Sequence, residues 1–401
     1  MRKNGIYIAG AEQHAGKTFL TIGLIAGLKE RLERGSGYLK PMGQKQKEQN
    51  GKSIGEDSYL VNEMLKLGMD LSDSAPFATG SGAAARFLAT GEPRHILRGI
   101  QRAYQRLSAA FDFLVVEGTG HPGVGSVFGL SNGVIARQLR IPVLLVLDGG
   151  VGSTVDRYTL CSSVFEKNRV PILGVVLNRI LPGKVDKIKE LVGPWFEARG
   201  IPVFGYIPYQ KKITYPSLRG LTADLCLTPQ YKHGGNPQVS GFVTGAGRSD
   251  EVGEKIRENP ASALIISARR LNLAEMAIAR RLGGDLDDAP GAMVLCGTDR
   301  LPAWLVKGCR SVSLPLYSST DSLDQVVKRL YRKVFKLGVE ETLKGREIIQ
   351  LVREHVDIEG IYQAVRAGGY PAVTGGKQTA GIVSALQNSL RMIRGFFRRG
   401  N

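Results

Sequence analysis

A glycine-rich segment followed by a lysine and a threonine carries the clearest chemistry in the sequence. It reads Gly10-Ala11-Glu12-Gln13-His14-Ala15-Gly16-Lys17-Thr18-Phe19 and follows the apolar run 6–9. Backbone N–H groups of such a loop, together with the positive end of the following helix, bind phosphate. The lysine reaches the β- and γ-phosphates and the threonine hydroxyl ligates Mg²⁺. Residues 10–19 are therefore predicted to bind ATP with Mg²⁺. One extra residue separates the two glycines, which leaves a plain strand-to-helix turn as the alternative.

Two carboxylates further along the chain could complete a metal site. Glu117 ends the apolar run 113–116, and Asp57 begins a helical stretch. A carboxylate at the end of a buried parallel strand faces the ligand crevice of an α/β fold, and Mg²⁺ takes oxygen ligands. We predict Thr18, Asp57 and Glu117 as metal ligands and rank Asp148, at another strand end, below them. The alternatives are a helix N-cap for Asp57 and a solvated strand end for Glu117.

Buried strands must hold these groups in place. Apolar runs alternate with helical patterns over the first 210 residues or so, and the runs are 6–9, 113–116, 143–147, 172–177 and 203–207. Near-continuous apolar strands separated by helices indicate a parallel sheet covered on both faces. The predicted fold class is α/β, a P-loop NTPase-type parallel sheet with helices on both faces.

A change in composition near residues 225–240 predicts a domain boundary, since this segment is polar and rich in Gly and Pro. We predict an ATP-binding domain over residues 1–230 and a second, smaller α/β domain over 238–335, with strands at 240–244, 263–267, 292–296 and 311–314. Residues 336–401 are predicted to be a helical basic region. Within it, residues 381–399 form an amphipathic helix that docks on its own protein, on a second copy or on a membrane surface.

The charge balance favours anionic ligands. Lys and Arg number 54 against 36 Asp and Glu, a net charge of +18, which attracts nucleotides, nucleic acid or acidic lipids. The excess is spread along the chain, so nucleic acid and membrane are less favoured partners than a nucleotide. No apolar run reaches the length of a spanning helix, and the four cysteines form no C-x-x-C pair. We expect a cytoplasmic homo-oligomer.

Three motifs together resemble a known family over residues 4–215. Gly-x5-Gly-Lys-Thr, Tyr38-Leu39-Lys40-Pro41 and Val115-Val116-Glu117-Gly118 look like dethiobiotin synthetase and its relatives. These relatives are the cobyrinate amidating synthases and the N-terminal domain of long phosphotransacetylases. The resemblance implies that Lys40 holds a substrate carbamate and phosphate, that Asp57 and Glu117 hold the metal, and that Asn178 reads adenine. It makes Lys17, Lys40 and Glu117 the catalytic candidates.

The second domain resembles the DRTGG domain that follows in those phosphotransacetylases. The matching pieces are the segments 240–245, 264–269 and 295–297, although Ala268 stands where the family often has Asp. The acetyltransferase domain of that family does not fit in the remaining length. The resemblance thus implies the accessory half of that architecture standing alone.

Three functions compete at this point. The leading one is an ATP- and Mg²⁺-binding protein whose DRTGG domain senses a small molecule and regulates nucleotide state or a partner metabolic enzyme. The second is an ATP-dependent ligase that activates a carboxylate or carbamate by phosphoryl transfer. The third is a basic scaffold for nucleic acid or membrane. Gln44, in a segment closer to the phosphotransacetylase domain, and the lack of an evident diamino-acid pocket in residues 118–132 favour the first over the second. Whether the chain is an enzyme, as an ATPase or a ligase, stays open.

Overall fold

The computed structural model describes residues 4–43, 46–49, 52–78, 80, 82–90, 94–210, 213, 222, 225–231, 239–284, 288–332 and 342–368. The chain forms two compact units. The first comprises Met1–Tyr209 and Gly345–Asn401, and the second comprises Gln210–Lys344. Gln44, the segment 232–238 and the predicted helix 381–399 lie outside the described residues.

A six-stranded parallel sheet is the centre of the first unit. Its strands are β1 (Gly5–Gly10), β2 (Ser36–Leu39), β5 (Phe113–Glu117), β6 (Val143–Asp148), β7 (Ile172–Ile180) and β8 (Val203–Pro208), in the spatial order β2-β5-β1-β6-β7-β8. Every neighbouring pair is parallel. Strands β1, β2 and β5 are buried along their whole length, as a sheet covered on both faces requires. The predicted fold class is confirmed, and the carboxyl ends of all six strands lie at one edge.

Helices and one small hairpin complete this unit. The hairpin joins β3 (Gln46–Gln49) to β4 (Lys52–Gly55) in antiparallel pairing. The helices are α1 (Lys17–Leu28), α2 (Glu56–Leu65), α3 (Leu71–Ser74), α4 (Ala83–Thr90), α5 (Arg94–Ala110), α6 (Asn132–Leu139), α7 (Gly152–Lys167) and α8 (Val185–Glu197). Helix α1 follows β1 directly, so its N-terminus lies at the carboxyl edge of the sheet.

The second unit contains a five-stranded sheet of its own. Four parallel strands, β10 (Phe242–Thr244), β11 (Ala263–Ser267), β12 (Ala292–Cys296) and β13 (Leu316–Ser319), lie side by side, and β9 (Thr228–Tyr231) pairs antiparallel with β13 at the edge. The helices α9 (Ser249–Glu258), α10 (Leu271–Leu282), α11 (Ala303–Ser311) and α12 (Leu323–Arg332) follow the parallel strands. The second α/β domain is thus present. Its last parallel strand lies at 316–319 rather than 311–314, because helix α11 runs on to Ser311.

The two predicted domain boundaries differ from the observed ones. Strand β9 belongs to the second sheet although the sequence placed residues 228–230 in the first domain. Pro229 suggested a linker, but proline is tolerated on an edge strand, where its missing N–H breaks no ladder.

The chain beyond residue 336 does not stand apart either. The first unit includes most of α13 (Thr342–His355) and all of α14 (Ile358–Ala367). A Cβ atom added at Gly23 of α1 would lie 2.3 Å from Cβ of Val352, and one at Gly27 would lie 2.4 Å from Cδ1 of Ile358. Such close packing shows that α13 and α14 complete the apolar surface of α1. No helix among the described residues has the length and apolar character needed to cross a membrane.

Candidate functional site

The phosphate loop (residues 10–18) connects β1 to α1 at the carboxyl edge of the sheet. Gly16 caps the helix at φ 96°, and the N–H of Leu20 donates to its carbonyl at 3.0 Å. A Cβ at Gly16 would come within 2.0 Å of Nδ2 of Asn178, so only glycine fits here. The N–H of Ala11 donates to the carbonyl of Val146 at 3.1 Å, which fixes the start of the loop to β6. The loop conformation is therefore held by strands β6 and β7.

Lys17 points back over this loop. Its Nζ donates to the carbonyl oxygens of Glu12 and Gly120, both at 2.9 Å, and its side chain is buried. Burial lowers the pKa of Lys17 to about 8, against the opposing pull of the Glu117 carboxylate. Two neutral carbonyls are modest partners for an ammonium group, since charge-assisted bonds to phosphate are stronger. Lys17 is thus placed to exchange carbonyl oxygens for phosphate oxygens.

Glu117 gathers three donors at the end of β5. One carboxylate oxygen, Oε1, accepts from Nζ of Lys40 at 2.7 Å and from Oγ1 of Thr18 at 2.9 Å. The other, Oε2, accepts from the hydroxyl of Tyr38 at 3.2 Å. Lys40 reaches Oδ2 of Asp57 as well, at 2.8 Å. The structure therefore brings together Thr18, Lys40, Asp57 and Glu117, which lie far apart in the sequence.

Burial and charge act in opposite directions on Lys40. Burial alone would lower its pKa, but the carboxylates of Glu117 and Asp57 outweigh this effect and raise it above the ordinary value. Burial, followed by the same two carboxylates, raises the pKa of Tyr38 well above its usual value. Lys40 is consequently a cation and Tyr38 a neutral donor at physiological pH.

The oxygen atoms of this cluster suit Mg²⁺. The carboxylates of Asp57 and Glu117 converge on one point, marked by Nζ of Lys40, and the hydroxyl of Thr18 contacts the same Glu117 oxygen. Mg²⁺ is commonly held by one or two carboxylates together with substrate phosphates. No group of three His, Cys, Asp or Glu side chains suited to a metal occurs in the described part of the chain. This donor set accordingly fits a metal that arrives with a nucleotide.

Two other predicted residues, Asn178 and Asp148, have partners elsewhere around the loop. Asn178 is buried, and its Nδ2 donates to the carbonyl of Ala15 at 2.9 Å. Asp148 pairs with Arg157 at 3.1 Å and with Arg179 at 2.8 Å, so its oxygens are already bound by two guanidinium groups. Asp148 is therefore a weaker metal candidate still. Arg157 also pairs with Glu12 of the loop at 2.7 Å.

Sequence reasoning missed the buried network around Asn132. Its Oδ1 accepts from the hydroxyl of Tyr7 at 2.7 Å and from the N–H of Thr119 at 3.1 Å. Its Nδ2 donates to the carbonyls of Thr119 at 3.0 Å and His121 at 2.8 Å. Asn132 thus clamps the segment that presents the Gly120 carbonyl to Lys17. The glycines around Thr119 were the available signal, because a Cβ at Gly118 would lie 2.7 Å from Oδ1 of Asn132.

Known proteins resemble this chain in sequence. A phosphate acetyltransferase of Nitratidesulfovibrio vulgaris is 22% identical over 368 residues, covering 88% of this chain and 50% of the relative. The chain therefore spans about half the length of that relative. An ATP-dependent dethiobiotin synthetase BioD of Clostridium kluyveri is 27% identical over 200 residues, covering 47% of this chain and 82% of the relative.

Solved structures and a family model also match part of the chain. A ParA family ATPase from Chlorobium tepidum matches 53% of this chain and 86% of its own, at 13% identity and a TM-score of 0.31. Residues 4–217, more than half of the chain, match the family model AAA_26, described as an AAA domain. The chain belongs to this AAA domain family.

Proposed function

We propose that the first unit binds ATP with Mg²⁺ at the phosphate loop and transfers the γ-phosphoryl group. The observation that carries this proposal is the cluster beside the loop of two buried lysines, a buried glutamate and a half-buried aspartate: Lys17, Lys40, Glu117 and Asp57. Phosphoryl transfer is catalysed mainly by positioning and by charge stabilisation. A loop that only bound nucleotide would need Lys17 but would have no use for a second buried lysine.

Each group has a role that follows from its position. The N–H groups of the loop and Lys17 would bind the β- and γ-phosphates, and Thr18, Asp57 and Glu117 would hold Mg²⁺, which neutralises phosphate charge when bound. Lys40 lies next to the metal carboxylates and would stabilise negative charge on the transferred group or on the acceptor. Asn178, buried against the loop at the end of β7, would contact the base.

The acceptor separates two forms of this function. In the first, the acceptor is water, and the second unit, as a DRTGG-like domain, senses a small molecule and sets the nucleotide state or the activity of a partner metabolic enzyme. In the second, the acceptor is a carboxylate or carbamate, as the resemblance to dethiobiotin synthetase implies. Lys40 favours neither form, since it would stabilise anionic charge in both. We place the regulatory form first because the second unit is a complete α/β unit with its own sheet.

Nucleotide binding is tested with a fluorescent ATP analogue titrated into the full chain with Mg²⁺. Lys17→Ala should weaken binding by about 100-fold, since a buried charge-assisted contact is lost. Lys29→Ala is the matched control, because Lys29 is an exposed lysine just after the same helix, and its affinity should equal that of wild type. Equal affinity of Lys17→Ala and wild type would remove the loop from the proposal.

Phosphate release by the full chain then identifies the acceptor. The reaction is run with ATP and Mg²⁺ alone, with bicarbonate and a panel of diamines and amino acids, and with a panel of metabolites. Release that is stimulated by a metabolite not consumed in the reaction supports the regulatory form. Release that is stoichiometric with consumption of an amine or carboxylate supports the ligase form.

A further inference from the structure

The position between Glu117 and Asp57 is held by a side chain of the protein itself. Nζ of Lys40 lies 2.7 Å from Oε1 of Glu117 and 2.8 Å from Oδ2 of Asp57. All three side chains are largely shielded from water, with exposed fractions of 8% for Lys40, 1% for Glu117 and 22% for Asp57. Two carboxylates this close to one ammonium group form an ionic cluster that is largely shielded from water.

A divalent cation cannot join this cluster without moving Lys40. Mg²⁺ binds oxygen at about 2.0–2.1 Å, so a metal bound to both carboxylates would occupy the space that Nζ now fills. Two cations sharing that space would also repel each other strongly in a buried site. Thr18 and Tyr38 would not repel the metal ion in this way, since each donates to Glu117 from a neutral hydroxyl group.

We propose that Lys40 is the built-in counter-cation of the metal carboxylates and that it leaves them when Mg²⁺ binds. This inference rests on the proposed function, because it takes Asp57 and Glu117 as metal ligands. The departure of Lys40 would therefore prepare both the carboxylates and the lysine for the reaction. The carboxylates receive the metal, and the freed ammonium group of Lys40 becomes available to phosphate or acceptor oxygens near Thr18.

The charge count explains why metal and nucleotide should bind together. In the metal-free site, the charges of Lys17 and Lys40 balance those of Asp57 and Glu117. Metal alone would leave a surplus of two positive charges in a buried site, which is unfavourable. A polyphosphate supplies the missing negative charge and gives both released lysines a partner. Lys40 thereby holds the affinity for free metal low and makes metal binding depend on nucleotide.

Manganese binding to the nucleotide-free full chain tests the exchange directly. Free Mn²⁺ is counted by electron paramagnetic resonance, with no turnover involved. Lys40→Met removes the competing charge at similar volume and should tighten Mn²⁺ binding by about tenfold or more. Lys40→Arg retains the charge and should bind Mn²⁺ as weakly as wild type does.

Two control variants separate the effect of Lys40→Met on Mn²⁺ affinity from the loss of any positive charge and from the loss of any contact with Glu117. Lys29→Met removes a positive charge from an exposed site in the same unit and should leave Mn²⁺ affinity unchanged. Tyr38→Phe removes an uncharged contact with the same carboxylate and should change the affinity less than Lys40→Met does. Mn²⁺ affinity of Lys40→Met no higher than that of wild type and Lys29→Met overturns the proposal.

Labelling of wild-type protein gives a second readout that needs no folded variant. An amine-reactive reagent and mass spectrometry report the reactivity of Lys40, which should rise as Mn²⁺ is added. Unchanged reactivity at Mn²⁺ concentrations that saturate the protein also overturns the exchange. If wild type binds ATP with Mg²⁺ but shows neither effect, only the exchange fails. If both effects occur without ATP binding, the exchange stands and the proposed function fails.

Discussion

Replacing Gly16 by alanine tests two physical effects at this position of the phosphate loop, which are backbone strain and steric overlap with Asn178. The backbone of Gly16 has φ 96°, where a non-glycine residue costs about 1–2 kcal/mol. The new Cβ would also lie 2.0 Å from Nδ2 and 3.3 Å from Cγ of Asn178. Asn178 must then move and lose its hydrogen bond to the Ala15 carbonyl, at a further cost of about 1 kcal/mol.

These two costs add to about 2–3 kcal/mol against the native loop, which corresponds to about 30- to 150-fold in ATP affinity. Gly35→Ala is the matched control, because Gly35 has φ 66° with no atom within 4 Å of the new Cβ. Gly35→Ala should lower the free energy of unfolding by about 1–2 kcal/mol and leave ATP affinity unchanged. The assays are denaturant unfolding and titration of the fluorescent ATP analogue.

The collision is isolated by combining Gly16→Ala with Asn178→Ala. Removing the Asn178 amide relieves the overlap but not the backbone strain, so the double variant should be about 1 kcal/mol more stable than the sum of the two single effects predicts. Strict additivity would show that Gly16 and Asn178 do not oppose each other. Equal ATP affinity of Gly16→Ala and wild type would refute the argument that this loop conformation binds phosphate.

Three further predictions follow from particular contacts. Glu117→Gln should lower Mg²⁺-dependent phosphate release by about 100-fold while changing nucleotide affinity much less, because in the proposed function the carboxylate acts through the metal; equal turnover removes Glu117 from the site. Asn132→Asp removes two donors to backbone carbonyls and should cost about 2–3 kcal/mol in denaturant unfolding; an unchanged midpoint contradicts the clamp. Gly23→Ala should cost about 1–3 kcal/mol, because its Cβ would overlap Val352. Val352→Gly in the same chain removes the overlapping Cβ as well as both Cγ atoms, so the double variant should lose less stability than the sum of the two single losses, and strict additivity would contradict packing of α13 on α1.

The parallel sheet of the first unit was predictable because strands buried on both faces must consist almost entirely of apolar residues. The predicted runs 113–116 and 143–147 are each one residue shorter than β5 and β6. In both cases the missing residue is the acidic one, Glu117 or Asp148, which continues the strand but carries a charge. An apolar run of this length and composition has only one stable place in an α/β fold, which is the interior of the sheet.

Elements fixed by distant partners were not predictable. Strand β9 contains Pro229 and has exposed or half-buried residues throughout, so its identity depends on pairing with β13 about 90 residues away. Helix α13 has an amphipathic pattern, which indicates the face that is apolar but not the element that packs against this face. Val352 belongs against Gly23 because the two surfaces fit, and one sequence alone does not contain that information.

In the candidate site, too, residues with local sequence signals were predictable and contacts between distant residues were not. Spacing and flanking strands singled out residues 10–18 and Glu117 as candidates, since these are local signals at strand ends. The family resemblance singled out Lys40, but neither it nor the spacing showed that Nζ lies between Glu117 and Asp57. Asn132 itself gave no signal, because its importance comes from backbone groups of the segment that it clamps, and the glycines of that segment were the one sign in the sequence.

The contacts of the phosphate loop divide into parts that stay fixed and parts that must exchange. The bonds from Ala11 to Val146 and from Asn178 to Ala15 join the loop to buried strands and involve none of the groups that would bind phosphate or metal. Lys17 and Lys40, in contrast, are bound to oxygen atoms of the protein that phosphate oxygens would replace. A preorganised loop spends little binding energy on ordering backbone. We therefore expect the affinity for the triphosphate group to be set mainly by the exchange of lysine partners, so that substitutions at the two lysines should alter it more than substitutions at the anchors that preserve the loop.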